Sequence, residues 1–407
     1  MKAIPILILD NSFTFGGAIN SLKHLLNALD TKRFVPVLVT GQSREFLANH
    51  FDCTCYHYVP KLPWVNNRIY KRIASLSIFR IRFLLKTLKL LRFVYWFAFI
   101  TVPEALRYYR IGRKHRVSLV HLNNTFDSQL AGIIAARLLR VPCVGHLRDF
   151  VEVHPITRLY ARLVDHHVAI SGAIRENLLD LGVPDQRVTV VHDAIDLDEF
   201  NADGDCAGLL REFGLTPGQP VFGIFGRVVE WKGIREFVLA ARQVIDNIPD
   251  ACGFVVGGPS DGDDSFFWTM KHLAAGLGLE NKVFFTGYRR DVPALMGMMN
   301  VIVHSSIRPE PFGMVLIEGM AMKKPVVASR GGGPLDIVIE GETGFLVEMG
   351  DSRAMSEAII YLLNHPALRK KMGLVGRHRV VRDFASPRYA DQMERIFQLL
   401  LATTHKV

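Results

Sequence analysis

Five short apolar runs in the C-terminal half of this chain, at residues 221–225, 252–256, 283–286, 301–304 and 325–328, all lead into glycine or charge. The first enters Gly226-Arg227, with Lys232-Gly233 a few residues further on. The second stops at Gly257-Gly258-Pro259 and the third at Gly287-Tyr288-Arg289. The fourth leads to Glu310, and the fifth to Arg330-Gly331-Gly332-Gly333-Pro334. Apolar runs of this length between turn residues read as strands buried on both faces of a parallel sheet. In open sheets of that kind ligands gather beyond the carboxyl ends of the strands. The pattern therefore predicts a doubly wound α/β domain whose strand tips form a binding site.

Between the first two runs, Ile234, Phe237, Val238, Ala241, Val244, Ile245 and Ile248 recur at helical spacing. The N-terminal half repeats the alternation. Residues 4–9, 35–39, 118–122, 141–145, 168–170 and 188–191 read as strands, and 18–29 and 128–139 as helices. A chain of 407 residues exceeds what one core holds. The glycine- and proline-bearing stretch after Asp198 is the expected junction between two doubly wound Rossmann-like domains facing a central cleft, with the ligand between them.

Glu310-Pro-Phe-Gly-Met-Val-Leu-Ile-Glu318 places two carboxylates around a turn and the opening of an apolar helix. The helix is expected to start between Phe312 and Val315, with Glu318 about two turns in. A helix start offers unpaired backbone N–H groups and a positive end, which suit phosphate. The carboxylates suit hydroxyls, one on a ribose and one on a sugar ring. Arg227 and Lys232 add two cations that fit a departing diphosphate. Each feature alone also reads as an ordinary surface turn or a solvated charge. Their joint occurrence at successive strand tips favours a nucleotide-sugar site.

In the first half, Gly16-Gly17 precedes the first helix without the glycine spacing of a dinucleotide site. It could bring backbone amides to a phosphate. His146 stands after a strand beside Arg148 and Asp149, where it is expected to face the ligand; the bland reading is a core histidine.

The net charge of +10 is concentrated. Residues 71–116 hold twelve Lys and Arg against one acid, Glu104, so a chain-wide nucleic-acid function is excluded. Arg82, Lys86, Lys89 and Arg92 recur at helical spacing beside apolar residues, and an aromatic run, 93–102, follows. That run is too short to span a bilayer. The pattern fits a helix lying on an anionic membrane surface, with a core helix carrying a solvated basic face as the alternative. The five cysteines are scattered. Only Cys53 and Cys55 are close, no second pair completes a zinc site, and a reducing, cytoplasmic setting is expected.

These residues resemble the retaining GT-B glycosyltransferases of the glycosyltransferase family 4 type, nearly end to end. The likeness runs from Gly16-Gly17 and His146 through Val188-Thr-Val-Val-His-Asp-Ala-Ile-Asp196 to Arg227…Lys232-Gly233, Glu310…Glu318 and Gly332-Gly333-Pro334-Leu-Asp336. It implies an acceptor-binding domain at 1–197, a nucleotide-sugar domain at 198–384 and a helix at 385–407 crossing back to the first domain. It also implies that Arg227 and Lys232 bind the diphosphate and Glu318 the ribose. Glu310 would hold sugar hydroxyls, with Phe312, Gly313, Met314 and Val315 giving amides to sugar and phosphate. Tyr288 and Arg289 would meet the base, largely through backbone, and His146 the transferred sugar. Acceptor contacts are expected near Asn123, Asn124, Arg148 and Asp149. Neither a cofactor nor a catalytic metal is implied. Two departures stand out: Asp193-Ala194-Ile195-Asp196 replaces a more usual Asn-Gly-Ile-Asp, and Asp336 replaces a glutamate.

The expectation is transfer of a hexose-type sugar from a nucleotide diphosphate to a lipid-linked or polysaccharide acceptor, by a peripheral protein at the inner membrane face. An epimerase or hydrolase on the same fold, or a non-catalytic nucleotide-sugar or membrane-binding protein, are the alternatives.

Overall fold

The computed structural model describes residues 3–11, 16–42, 55–60, 82–201, 207–259 and 263–404, the side chains of 82–86 and 404 excepted. Cys53, Cys206 and the part of the basic segment at 71–81 lie outside the described residues, as do the side chains of Arg82 and Lys86. The chain divides into two units. One comprises residues 1–169, 175–189 and 390–407, and the other 170–174 and 190–389. The division falls at residue 190 rather than after Asp198, and it gives the second unit a short piece, 170–174, from within the first half.

The first unit is built on strands β1 (Ile4–Asp10), β2 (Phe34–Thr40), β3 (Tyr56–Tyr58), β4 (Leu119–Asn124), β5 (Cys143–Leu147), β6 (His166–Ala169) and β7 (Val188–Val190). Their order is β3-β2-β1-β4-β5-β6-β7. Pairing is parallel from β3 through β6. Chain order reverses direction between β1 and β4, the place where such sheets open a crevice.

The second sheet contains β8 (Val221–Phe225), β9 (Cys252–Val256), β10 (Val283–Gly287), β11 (Val301–His304), β12 (Val326–Ser329) and β13 (Gly344–Val347), ordered β10-β9-β8-β11-β12-β13. All these pairings are parallel. The reversal point is β8/β11. Every residue of β8, β9, β11 and β12 is buried, as a sheet covered on both faces requires. The helix Ile234–Asn247 buries Ile234, Phe237, Val238, Ala241 and Val244, and Phe237 packs on Phe222 at 5.6 Å between ring centroids.

Three points differ from or add to the expectations. The helix near Glu318 begins at Met314, inside the expected interval, but Glu318 sits about one turn in rather than two. The helix expected at 128–139 is Leu130–Leu139. Strands β3 and β13 were not anticipated, being three and four residues long with weak apolar runs.

The aromatic run at 93–102 does not end a helix. Arg82–Trp96 continues through a π-helical turn, Phe97–Thr101, into Val102–His115, and Pro103, which cannot donate a backbone hydrogen bond, follows that turn directly. Leu90 and Leu91 are each 61% exposed and Phe99 is 64% exposed. Among the described residues no helix is long and apolar enough to cross a membrane.

Candidate functional site

The second unit collects the predicted cations and carboxylates at its β8/β11 reversal point. His304 ends β11, and Ser305 and Ser306 follow it; all three are buried. The chain then returns with Glu310, also buried. Lys232 Nζ donates to Glu310 Oε2 at 2.7 Å, Ser306 Oγ donates to the same oxygen at 2.9 Å, and His304 Nε2 lies 3.2 Å from it. Burial opposes the carboxylate charge. The Lys232 ammonium and the His304 contact more than offset it, holding the Glu310 carboxyl well below the usual range. Oε1 accepts no hydrogen bond among the described residues, so one carboxylate oxygen remains for a ligand hydroxyl.

Lys232 is fixed from behind. Ser305 Oγ donates to the Lys232 and Gly233 carbonyls at 3.0 and 2.9 Å. The Lys232 ammonium also lies 4.3 Å from the centroid of the Trp231 ring. Gly233 has φ 68°, and a Cβ there would stand 1.8 Å from Ser305 O. Only glycine permits both the left-handed turn and the close approach that aim Lys232 at Glu310.

The last glycine loop seals the other side. Gly333 N donates to Glu310 O at 2.8 Å, and a Cβ on Gly332 would lie 2.0 Å from that carbonyl oxygen. Phe312 is buried against His192 and Phe384, with centroids 5.9 and 6.1 Å away. Gly313 then leads into the helix Met314–Ala321, whose opening N–H groups have no acceptor within the helix. Glu318 is half-buried. Burial raises its carboxyl to about 7; Glu199 adds to the shift and Lys232 opposes it.

Lys232 and Glu310 are therefore in contact, and Glu318 is near enough for Lys232 to act on its charge. Arg227 is exposed beyond β8 and forms no ion pair among the described residues. Tyr288 is 78% exposed. The Arg289 guanidinium is committed to Glu212 at 2.6 Å and Asp291 at 2.7 Å, which leaves backbone as its means of meeting a ligand. Asp336, left open by the sequence, accepts from Gly172 N at 2.6 Å and lies 3.3 Å from His192 Nε2. It ties loops together.

His304, Ser306 and His192 went unnoticed in the sequence. The signal for the first two was polarity at the tip of an otherwise apolar strand.

In the first unit, Asn123 Nδ2 donates to Asp10 Oδ1 at 2.9 Å, and Arg148 Nε donates to Asn123 Oδ1 at 2.9 Å. This buried chain links the ends of β1, β4 and β5 at that sheet's own reversal point. His146 is fully buried rather than presented. It stacks on His121, with 3.3 Å between His121 Nε2 and His146 Nδ1, and Arg148 Nη2 lies 3.4 Å from that Nδ1. Burial first, then the Arg148 charge, keeps His146 well below the ordinary imidazole value and His121 near 3. Both rings are neutral.

Asn124 is half-buried at φ 96°, and Asp149 is exposed. Gly16 and Gly17 are exposed at the start of the helix Gly17–Ala28.

Residues 15–199 match the family model described as Glycosyltransferase Family 4, and residues 209–379 match Glycosyl transferases group 1. The chain is 28% identical over 297 residues to N-acetyl-alpha-D-glucosaminyl L-malate synthase of Bacillus anthracis, spanning 70% of this chain and 76% of that protein. It is 27% identical over 288 residues to the capsular polysaccharide biosynthesis glycosyltransferase CapM of Staphylococcus aureus, spanning 66% and 70%. In three dimensions it resembles Anabaena HepE, solved with UDP and glucose, at a TM-score of 0.78 and 22% identity over 97% of this chain and 99% of that one. At that identity the likeness establishes the fold. With two such family models in succession on two parallel α/β sheets, the chain belongs to the GT-B glycosyltransferases of the glycosyltransferase family 4 type.

Proposed function

We propose that this glycosyltransferase moves a hexose-type sugar from a nucleoside diphosphate to a lipid-linked or polysaccharide acceptor, with retention and without a catalytic metal. The observation that carries the reading is the Lys232–Glu310 contact at the β8/β11 reversal point, beside the opening of the helix Met314–Ala321. Lys232 and the exposed Arg227 supply positive charge for the leaving diphosphate, and the amides of Phe312 to Val315 share that load. Glu310 Oε1 takes a sugar hydroxyl, Glu318 the ribose, and the backbone around Tyr288 and Arg289 the base.

In the first unit the acceptor is met by Asn124 and Asp149, whose loops Asn123 and Arg148 hold. His146 serves by packing under Arg148. The binding of UDP and glucose by HepE, and the capsular role in the name of CapM, support this donor and acceptor class.

The exposed Leu90, Leu91 and Phe99 beside Lys89 fit a peripheral anchor on an anionic leaflet at the cytoplasmic face, where a lipid-linked acceptor would be found. The test is donor turnover with and without a membrane extract. Sugar-dependent release of nucleoside diphosphate only with acceptor, at the same rate with or without added magnesium or manganese and with the donor's anomeric configuration kept in the product, is the expected result. Release without acceptor would mark an epimerase or hydrolase, and binding without release a non-catalytic protein.

A further inference from the structure

Cys55, His57 and His115 converge at the edge of the first sheet, outside everything described above. Cys55 immediately precedes β3, His57 lies within it, and His115 is the last residue of the helix Val102–His115. One donor atom from each lies within 4.8 Å of the others, and all three residues are half-buried. His57 Nε2 and His115 Nε2 face each other at 2.8 Å, with ring centroids 4.9 Å apart and planes at 69°. Cys55 Sγ stands 3.7 Å from His115 Nδ1 and 3.9 Å from its Nε2. We propose that these three side chains bind a divalent transition metal of the zinc type, which fastens the edge strand β3 to the end of that helix.

The donor set chooses the metal class. One thiol and two imidazoles with no carboxylate suit zinc or cobalt and reject magnesium and calcium. The spacing agrees. Zinc–sulfur bonds of about 2.3 Å and zinc–nitrogen bonds of about 2.0–2.1 Å at tetrahedral angles separate S from N by about 3.6 Å and N from N by about 3.3 Å. The Cys55–His115 separations of 3.7 and 3.9 Å are close to the first value, and the imidazoles need part by about half an ångström. Solvent fills the fourth position.

His115 is held in place because its helix ends in a tight cap, Arg116 N donating to Arg113 O at 3.2 Å and Val117 N to Gly112 O at 3.0 Å. The strand, by contrast, needs a fastener. β3 pairs with β2 through only three residues, Leu38↔Tyr56, Val39↔His57 and Thr40↔Tyr58, and has no neighbour on its other side among the described residues. No completing partner for Cys55 is visible along the chain because His115 is 60 residues away from it.

The site belongs to the first unit and asks nothing of the transfer reaction. The test is cobalt titration of the metal-stripped full chain. A sulfur-to-cobalt absorption band with intense tetrahedral visible bands, saturating at one equivalent and bleached by zinc, is expected. Cys55→Ser should remove the charge-transfer band, and His115→Gln should weaken cobalt binding at least tenfold, whereas Cys206→Ser keeps both. Zinc should raise the melting temperature of the wild type and not of His115→Gln. No thiolate band in the wild-type chain at one equivalent overturns the proposal, whatever the variants do. A band that survives Cys55→Ser in folded protein, judged by circular dichroism, overturns it equally.

Discussion

Lys232 and Glu318 feel the same electrostatic neighbourhood from opposite sides, and each makes a measurable claim. Lys232→Ala removes the cation that faces Glu310, so turnover should fall by about 10²–10³ while the fold persists. Steady-state rates at saturating donor check this, and a loss under tenfold would exclude Lys232 from stabilising the leaving group. For Glu318 the sign runs the other way from a usual carboxylate. Its folded value is raised from 4.5 to about 7, so the folded chain holds the proton more tightly than the unfolded chain does. That stability is complete at pH 4.5 and below and is lost as the pH climbs to about 7. Glu318→Gln cannot ionise. It should melt with the wild type at pH 4.5, gain on it steadily to pH 7, and keep the advantage above. Melting curves at several pH values decide it; an advantage that shrinks with pH would contradict the raised value. Both residues were legible in the sequence, Lys232 as a cation shortly after a strand tip and Glu318 as a carboxylate on the following helix. Their buried partners were not, since nothing at residue 304 or 306 announces that the chain doubles back to place Glu310 there.

Turns and helices carry their own consequences. Gly233→Ala must relieve both a positive φ and a 1.8 Å approach to Ser305 O, which should cost on the order of 4 kcal/mol. Gly276→Ala, with nothing within 4 Å and a helical setting, should change stability by less than about 1 kcal/mol and in the favourable direction. Urea midpoints at constant slope measure both.

The helix Arg82–Trp96 is tested on vesicles. Reversing Lys89 and Arg92 to glutamate together with Phe99→Ser should abolish flotation with anionic vesicles and leave neutral-vesicle behaviour unchanged; undiminished flotation would refute the anchor. The strand runs and the helix at 234–247 were readable because burial on both faces or on one stripe imposes a period on the sequence. β3 and β13 were not, being too short to show one. The start of the site helix fell inside the expected interval, and Phe312 stays outside the helix because it packs on His192 and Phe384.

At the scale of the molecule, the reading stands on one ligand class. A panel of nucleoside diphosphates should pick out one base, whose diphosphate at 100 times its dissociation constant stabilises the fold by about 2.7 kcal/mol. Equal, negligible shifts across the panel would remove the nucleotide. On the proposed reading the identity of that base is silent in the sequence, because the Arg289 guanidinium is held by Glu212 and Asp291 and main-chain contacts leave no side-chain signature.

The first unit also borrows residues made long after the rest of it. Phe397 lies wholly inside, edge-on to Phe34 at 5.7 Å, and Glu394 accepts from Asp30 N and from Arg33 at 2.8 and 2.9 Å. During vectorial synthesis these contacts cannot form until the ribosome has read some two hundred codons past Thr189. The early half must therefore wait, partly open, while the later half folds, and a fragment ending at residue 189 should be prone to aggregate until a peptide spanning 386–404 is supplied in trans.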